Sequence, residues 1–295
     1  MDAEGKLRLG IPKGSLEDAT IELFRQAGWT ITQRSRNYFP RIDDPEIECA
    51  LVRSQEMGPY VAKGNLDAGL CGIDWLMETE TEAELEIVSD LIYSKASDQK
   101  ARWVLVVDAG SPIQTVEDLA GKTIATELVG YTKRYLEARG IEAQVQFSWG
   151  ATEAKVVEGM ADAAVEITET GSTIRAHGLR IVCDLLETHT VFFANKHAMA
   201  DPWKRAKIEQ IALLTQAALN ARNKVLLKMN VAAANLGAVV ALLPSLHAPT
   251  VNPLADGDWS AVETVVDCDA VRTLVPRLKA AGAEGILELD IQKIC

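Results

Sequence analysis

Cysteine is scarce in this chain and follows no pattern. Cys49, Cys71, Cys183, Cys268 and Cys295 stand far apart in 295 residues. An odd, dispersed set excludes a disulfide framework and a cysteine-based zinc site, and it suits a reducing compartment. No apolar run reaches the roughly 18 residues that a membrane-spanning helix needs. The start, Met1-Asp2-Ala3-Glu4-Gly5, lacks the basic-then-apolar form of a secretory signal. The expectation is a cytoplasmic protein with no membrane partner. Basic residues are outnumbered, 30 Lys and Arg against 42 Asp and Glu, for a formal net charge of −12. That balance excludes the broad basic surface that nucleic acid requires. A small phosphorylated ligand must then be met by local Lys or Arg, by helix N-termini or by Mg2+. His177, His189, His197 and His247 form no Ser-His-Asp or Cys-His arrangement, and no internal repeat or low-complexity segment is present.

The apolar share is 48% and the charged share 24%, ordinary for a soluble globular chain of two or three domains. Residues 7–12 alternate as a strand, and Lys13-Gly14-Ser15 turns. Ser15 and Asp18 form a capping pair for a helix over 16–27 that Gly28 stops. Residues 49–53 read as a strand ending in Arg53, 59–62 as the start of a short helix, and 67–73 as a buried strand leading to Asp74. Near residue 96 the pattern restarts. Strands at 101–107, 123–126, 145–147 and 163–167 alternate with helices over 116–120, 131–138 and 155–159. Such alternation implies α/β architecture with parallel sheets. Strands at 180–185 and 190–194 can carry the chain back to the first lobe. The boundaries are 1–95, with about 186–208 returning, for one lobe and 96–185 for the other. Two lobes joined by paired crossings leave a cleft where ligands bind. A helix over 203–223 leads into the order β-α-β-β-α-β within 209–295, a ferredoxin-like α+β plan. Its final strand is expected over 285–294.

One stretch carries the chemistry. Glu166 follows a short apolar run, Ala163-Ala164-Val165, that reads as a buried strand end. A turn with hydroxyls and one glycine comes next: Glu169-Thr170-Gly171-Ser172-Thr173. Ile174 can then begin a helix. Backbone N–H groups at a helix start attract anions, and Gly171 admits a positive φ and close approach. Thr170, Ser172 and Thr173 can donate to phosphate oxygens. The carboxylate of Glu166 can accept from ribose hydroxyls or hold Mg2+. The same residues also suit an ordinary helix N-cap. Lys13, on a glycine-flanked turn, and Arg53, at a strand end, read either as anion ligands or as plain surface charges.

Several segments together match one family. They are Gly10-Ile11-Pro12-Lys13-Gly14-Ser15-Leu16, Arg53 with Pro59-Tyr60-Val61 and Gly64, residues 67–74, residues 119–126 and residues 153–173. In the last third they are residues 249–254, Asp258-Trp259 and residues 282–287. In order and spacing the chain resembles the long form of ATP phosphoribosyltransferase nearly end to end. The resemblance implies a two-lobed, periplasmic-binding-protein-like α/β core with a C-terminal ferredoxin-like (ACT-like) domain. It implies transfer of the phosphoribosyl group of phosphoribosyl pyrophosphate to N1 of ATP, with loss of pyrophosphate, opening histidine biosynthesis. By that resemblance the stretch from Glu166 to Thr173 takes the 5-phosphate and ribose, and Lys13 and Arg53 take the polyphosphates. Asp74 then faces ATP or caps a helix starting at Trp75, and Mg2+ arrives with the polyphosphates. Histidine, as feedback inhibitor, is expected at Asn230, Leu246, Ala248 and Thr250, in a homo-oligomer that is a hexamer or a dimer. Two departures stand out. The family's signature usually has Asp where Glu166 stands, which leaves Glu169 as a second candidate carboxylate. Long members can carry an acid where the neutral Asn230 stands. Two other readings share the bilobal plan: a non-catalytic small-molecule-binding module, and a silent regulatory subunit.

Overall fold

The computed structural model describes residues 5–33, 38–93, 99–244, 248–255 and 257–295. The chain divides into one unit of residues 1–212 and a second of 213–295. The first unit begins with strand β1 (Leu7–Lys13), helix α1 (Glu17–Ala27), the short strands β2 (Ile31–Thr32) and β3 (Arg41–Ile42), and strand β4 (Ile47–Arg53). Helix α2 (Ser54–Ala62), strand β5 (Ala68–Gly72), helix α3 (Ile73–Thr79) and strand β6 (Leu85–Leu91) follow. The second lobe is built from β7 (Ala101–Asp108), β8 (Thr123–Thr126), α4 (Val129–Glu137), β9 (Gln144–Phe147), α5 (Thr152–Val157), β10 (Ala163–Thr168), α6 (Ser172–Ala176) and β11 (Leu179–Thr188). Strand β12 (Thr190–Asn195) returns to the first lobe, and α7 (Lys196–Ala200) and α8 (Pro202–Ala221) come after it.

The first sheet has the order β4-β1-β5-β12-β6, and the second β11-β7-β10-β8-β9. Both are mixed rather than parallel. In the first, β1 runs parallel to β4 and β5, but β12 is antiparallel to β5 and β6. In the second, β8 is parallel to β9 and β10, but β7 is antiparallel to β10 and β11. The reason lies in the crossings. A strand that enters from the other lobe arrives from the opposite end of the sheet, so it runs against its neighbours.

Local chemistry explains the element ends. In α1, Leu23, Phe24 and Ala27 face the core, and Gly28 stops the helix at φ 114°. Ser15 and Asp18 do not form the expected capping pair. Leu16 is the N-cap, and the Glu17 carboxylate instead accepts the Gly14 N–H at 3.1 Å. Helix α2 starts at Ser54, a turn and a half before the expected start at Pro59, which lies inside it. Packing outweighs the one backbone bond that proline removes. Met57 and Val61 of α2 are fully buried. A Cβ on Gly69 would come within 2.8 Å of Met57 Sδ, so glycine in β5 lets α2 seat directly on the sheet.

The second unit is a four-stranded antiparallel sheet of β13 (Lys224–Ala232), β14 (Thr250–Pro253), β15 (Trp259–Asp267) and β16 (Ala283–Asp290), in the order β14-β15-β13-β16. Helices α9 (Leu236–Val240) and α10 (Cys268–Ala280) complete it. Val225, Leu227, Met229 and Val231 alternate inward and pack with Val271, Leu274 and Leu278 of α10. Strand β16 stops at Asp290 rather than 294, because the chain's end leaves the sheet for α8. The Ile294 N–H bonds the Ala217 carbonyl at 2.9 Å, and its carbonyl accepts from Asn220 at 3.2 Å. The architecture is the two-lobed α/β core with a ferredoxin-like C-terminal domain that the sequence implies. Among the described residues no helix is long and apolar enough to cross a membrane.

Candidate active site

The cleft between the lobes of the first unit begins at the carboxyl ends of parallel strands, where α/β sheets characteristically bind ligands. Lys13 and Arg53 are the last register pair of β1 and β4, so the ladder sets them side by side. The Lys13 ammonium lies 4.0 Å from the centre of the Tyr38 ring. The Arg53 guanidinium carbon lies 5.2 Å from the centre of the Trp149 ring, which belongs to the other lobe. Asp74 stands in the first turn of α3, which begins at Ile73 with Gly72 as its N-cap, not at Trp75. It is buried. One carboxylate oxygen accepts the Trp75 N–H at 3.0 Å, and the other accepts the Trp103 indole N–H at 2.6 Å across the cleft. Burial pushes the Asp74 carboxyl up, against the pull of the Trp103 bond. Trp75 packs into the cores of both lobes and meets Trp103 edge-on at 6.2 Å. The lobes are thus joined by apolar contact as well as by chain crossings.

Glu166 comes from the opposite wall, on β10. The pleat puts it on the same face as the buried Ala164, and its place nearer the strand end brings it to the cleft. Burial lifts its carboxyl from 4.5 to about 7, with Glu153 and then Glu127 adding repulsion. Beyond it, Gly171 takes φ 71°, and its N–H donates to Thr168 Oγ1 at 2.8 Å. Thr170 Oγ1 lies 3.0 Å from Ser172 Oγ, and Arg175 reaches the Thr170 carbonyl at 3.1 Å. Glu169, Thr170, Ser172 and Thr173 all line a cavity of about 530 Å³ that Glu166, Asp74 and His189 share. A second cavity of about 290 Å³ adjoins it and brings Lys13 and Arg53 together with Glu127 and Glu166. The combined space suits a nucleotide-sized ligand.

Every expected residue of the first unit except the buried Gly171 therefore borders one connected cleft. Lys13, Arg53 and the buried Asp74 stand on the first lobe's wall, and Glu127, Glu153, Glu166 and Glu169 on the other. Sequence reasoning missed Glu127 and Glu153 as neighbours of Glu166. Each follows or closely trails the end of a strand of the same sheet, as Glu166 does, and that shared placement was the available signal. It also missed Trp75, Trp103, Trp149 and Tyr38. Among the described residues no group of three or more His, Cys, Asp or Glu side chains is placed to hold a metal ion.

In the second unit, Asn230 is exposed between the buried Met229 and Val231, so it points to the sheet face away from the helices. Thr250 pairs with Glu263 and Asn230 with Ala261, which leaves strand β15 between Asn230 and Thr250. Ala248 is exposed just before β14. Leu246 lies outside the described residues.

Comparison with known proteins follows the same division. A family model described as "ATP phosphoribosyltransferase" matches residues 53–217, and one described as "HisG, C-terminal domain" matches residues 221–293. A relative named ATP phosphoribosyltransferase from Nitratidesulfovibrio vulgaris (strain DSM 19637 / Miyazaki F) is 60% identical over 294 residues, covering 100% of both chains. Another of that name, from Desulfosudis oleivorans, is 58% identical over 288 residues, covering 98% of each. Among solved structures, a chain of the ATP phosphoribosyl transferase (HisG:HisZ) complex from Thermotoga maritima is 26% identical. It aligns with a TM-score of 0.60 over 71% of this chain and 98% of its own. XAC2383 from Xanthomonas citri, at 16% identity and a TM-score of 0.51, covers 73% of this chain and 84% of its own and shares the fold.

Proposed function

The chain belongs to the ATP phosphoribosyltransferase family, and on that premise we propose that its cleft transfers the phosphoribosyl group of phosphoribosyl pyrophosphate to N1 of ATP. A bond forms between adenine N1 and the ribose anomeric carbon. The bond from that carbon to the pyrophosphate oxygen breaks, and its electron pair leaves with pyrophosphate. The product, N1-(5-phosphoribosyl)-ATP, opens histidine biosynthesis in the cytoplasm.

The observation that carries this reading is the separation of charge across one cleft. In the transition state the ribose gains positive charge and the leaving group negative charge. Glu166, flanked by Glu127 and Glu153, faces the first, and Lys13 and Arg53 face the second. Positioning and electrostatic stabilisation suffice for such a displacement, and no protein nucleophile is needed. Glu166 acts in its ionised form, beside the anomeric carbon. Glu169 accepts from the ribose hydroxyls, and Thr170, Gly171, Ser172 and Thr173 take the 5-phosphate. Lys13 and Arg53 take the polyphosphates of both substrates, with Asp74 forming part of the wall on the ATP side. Mg2+ enters as part of the substrates, bound to their polyphosphates, whose oxygens suit its demand for octahedral oxygen ligation. Histidine acts as feedback inhibitor at the open sheet face that carries Asn230 and Thr250, with Ala248 and Leu246 as further ligands, in a homo-oligomer, a hexamer or a dimer.

The test is product formation from ATP, phosphoribosyl pyrophosphate and Mg2+, followed by ultraviolet absorbance with pyrophosphatase present, with and without histidine. Turnover suppressed by histidine supports both parts. Turnover indifferent to histidine keeps the transferase and removes the effector site. Binding of both substrates without product moves the reading to a binding module or a silent subunit.

A further inference from the structure

The two cations assigned to the polyphosphates are held in the same way, and not by acids. Elsewhere in the first unit of this acid-rich chain many bases find carboxylates, while others, such as Arg180 and Lys196, donate to backbone carbonyls and Arg139 stacks on Tyr135. Lys204 and Arg8 meet Asp67, Lys207 meets Asp44 and Glu46, and Arg134 meets Glu80. Lys13 and Arg53 have no such partner among the described residues. Each lies instead over an aromatic face: Tyr38 at 4.0 Å and Trp149 at 5.2 Å. Both rings are large apolar groups left largely in the open, Tyr38 57% and Trp149 59% exposed.

The chemistry of the contact matters. A carboxylate would neutralise the cation and occupy the N–H donors that a phosphate needs. A ring face attracts the cation through its quadrupole and takes none of those donors. A guanidinium stacked by its flat face keeps its in-plane N–H fork free for bidentate phosphate recognition.

Trp149 is also held on a built support. The Ser148 N–H bonds the Thr126 carbonyl at 2.9 Å, Thr152 Oγ1 donates to Ser148 Oγ at 3.1 Å, and the Gly150 N–H reaches Glu127 at 3.3 Å. Gly150 and Ala151 follow in the left-handed region at φ 64° and 48°, which an alanine adopts only when its surroundings impose it. Phe147 stands beside the indole, its ring centre 6.1 Å away. The loop therefore projects Trp149 from the second lobe to the cation of the first.

We propose that Tyr38 and Trp149 are positioning residues, whose ring faces hold the Lys13 ammonium and the Arg53 guanidinium charged, unneutralised and oriented for a polyphosphate. The proposal rests on the phosphoribosyl-transfer reading. Because Trp149 belongs to the opposite lobe, Arg53 is oriented only while the lobes keep this spacing.

The experiment measures binding of Mg–pyrophosphate by calorimetry, together with steady-state turnover. It uses the wild type and the variants Trp149→Phe, Trp149→Leu, Trp149→Ala, Tyr38→Phe and Tyr38→Ala. Removing either ring should weaken Mg–pyrophosphate binding about two- to fivefold, the range of an exposed cation–π contact. The Phe variants should recover most of the loss, while Trp149→Leu, which keeps apolar bulk without a ring face, should behave as the Ala variant. Melting temperatures should stay at the wild-type value, since both rings are more than half exposed. Mg–pyrophosphate should also change tryptophan emission in the wild type by more than in Trp149→Phe. Wild-type turnover with unchanged or tighter Mg–pyrophosphate binding in the Ala and Leu variants overturns the pedestal role alone. A wild type that binds no Mg–pyrophosphate and forms no product overturns the transferase reading, and the pedestal with it.

Discussion

Replacing Glu166 with Gln should stabilise the protein at high pH while disabling it. Burial, reinforced by Glu153 and Glu127, raises this carboxyl from 4.5 to about 7. The folded chain thus keeps a proton that the unfolded chain releases between those two values. The sign follows directly. Wherever the folded state binds more protons, stability falls as pH rises. The loss accumulates from about pH 4.5 to about pH 7 and is complete above that. At about 1.4 kcal/mol per pH unit, the gap corresponds to about 3 kcal/mol. Glutamine cannot ionise and escapes the loss. For a unit of this size each kcal/mol moves the melting temperature by about 2–4 °C. Thermal melts of the wild type and Glu166→Gln should therefore differ little at pH 5. They should differ by roughly 6–12 °C in favour of the variant at pH 8. Titrating groups away from Glu166 are common to both proteins and cancel in the difference. A difference that is the same at both pH values, or a wild type that is the more stable at pH 8, would refute the buried-carboxylate argument. In turnover assays the same variant should lose kcat far more than it raises the KM for ATP.

Four further outcomes are expected. The pH profile of kcat/KM for phosphoribosyl pyrophosphate should rise with a midpoint near 7, as Glu166 ionises, and Glu153→Gln should move that midpoint down; an unmoved profile would detach Glu153 from Glu166. Gly171→Val should abolish phosphoribosyl pyrophosphate binding in calorimetry, because φ 71° strains a β-branched residue and its Cβ would lie 3.0 Å from Arg175 Nη1 and 3.1 Å from Ile181 Cδ1. Trp103→Phe should lower unfolding free energy by about 1–3 kcal/mol in denaturant titration, since it strips a buried bond from Asp74; unchanged stability would mean that water replaces the indole. Asn230→Asp should lower the histidine concentration that halves turnover, by placing a carboxylate near the effector's ammonium, and an unchanged value would move the effector away from Asn230.

The order of strands and helices was legible because apolar runs and glycine stops report on local burial. Residues 163–167 read as a strand, Gly171 as the turn's left-handed residue and Gly28 as a helix stop, each from a few neighbours. Where a reading failed, distant packing had overridden the local signal. Pro59 looked like a helix start but lies inside α2, because Met57 and Val61 seat that helix on the sheet. Ser15 and Asp18 looked like a capping pair, but Glu17 reached Gly14 first. The cleft's carboxylates and cations were visible one by one. Their pairing across the lobes was not. Trp103 with Asp74 and Trp149 with Arg53 depend on the approach of two separately folded sheets, for which no periodicity in the chain is a signal.

Strand β12 is the fourth of five strands in the first sheet, between β5 and β6, and among the described residues β6 pairs with no other strand of that sheet. The ribosome therefore finishes β6 about a hundred residues before its only partner exists. At a synthesis rate of about 5–20 residues per second, that edge waits roughly 5–20 s. During that interval the second lobe, whose strands are contiguous from β7 to β11, can close first and deliver β12 to a gap already flanked by β5 and β6. The lobe that starts the chain is the one that finishes later, and the waiting edges of β5 and β6 are points where the nascent protein meets chaperones and can mispair.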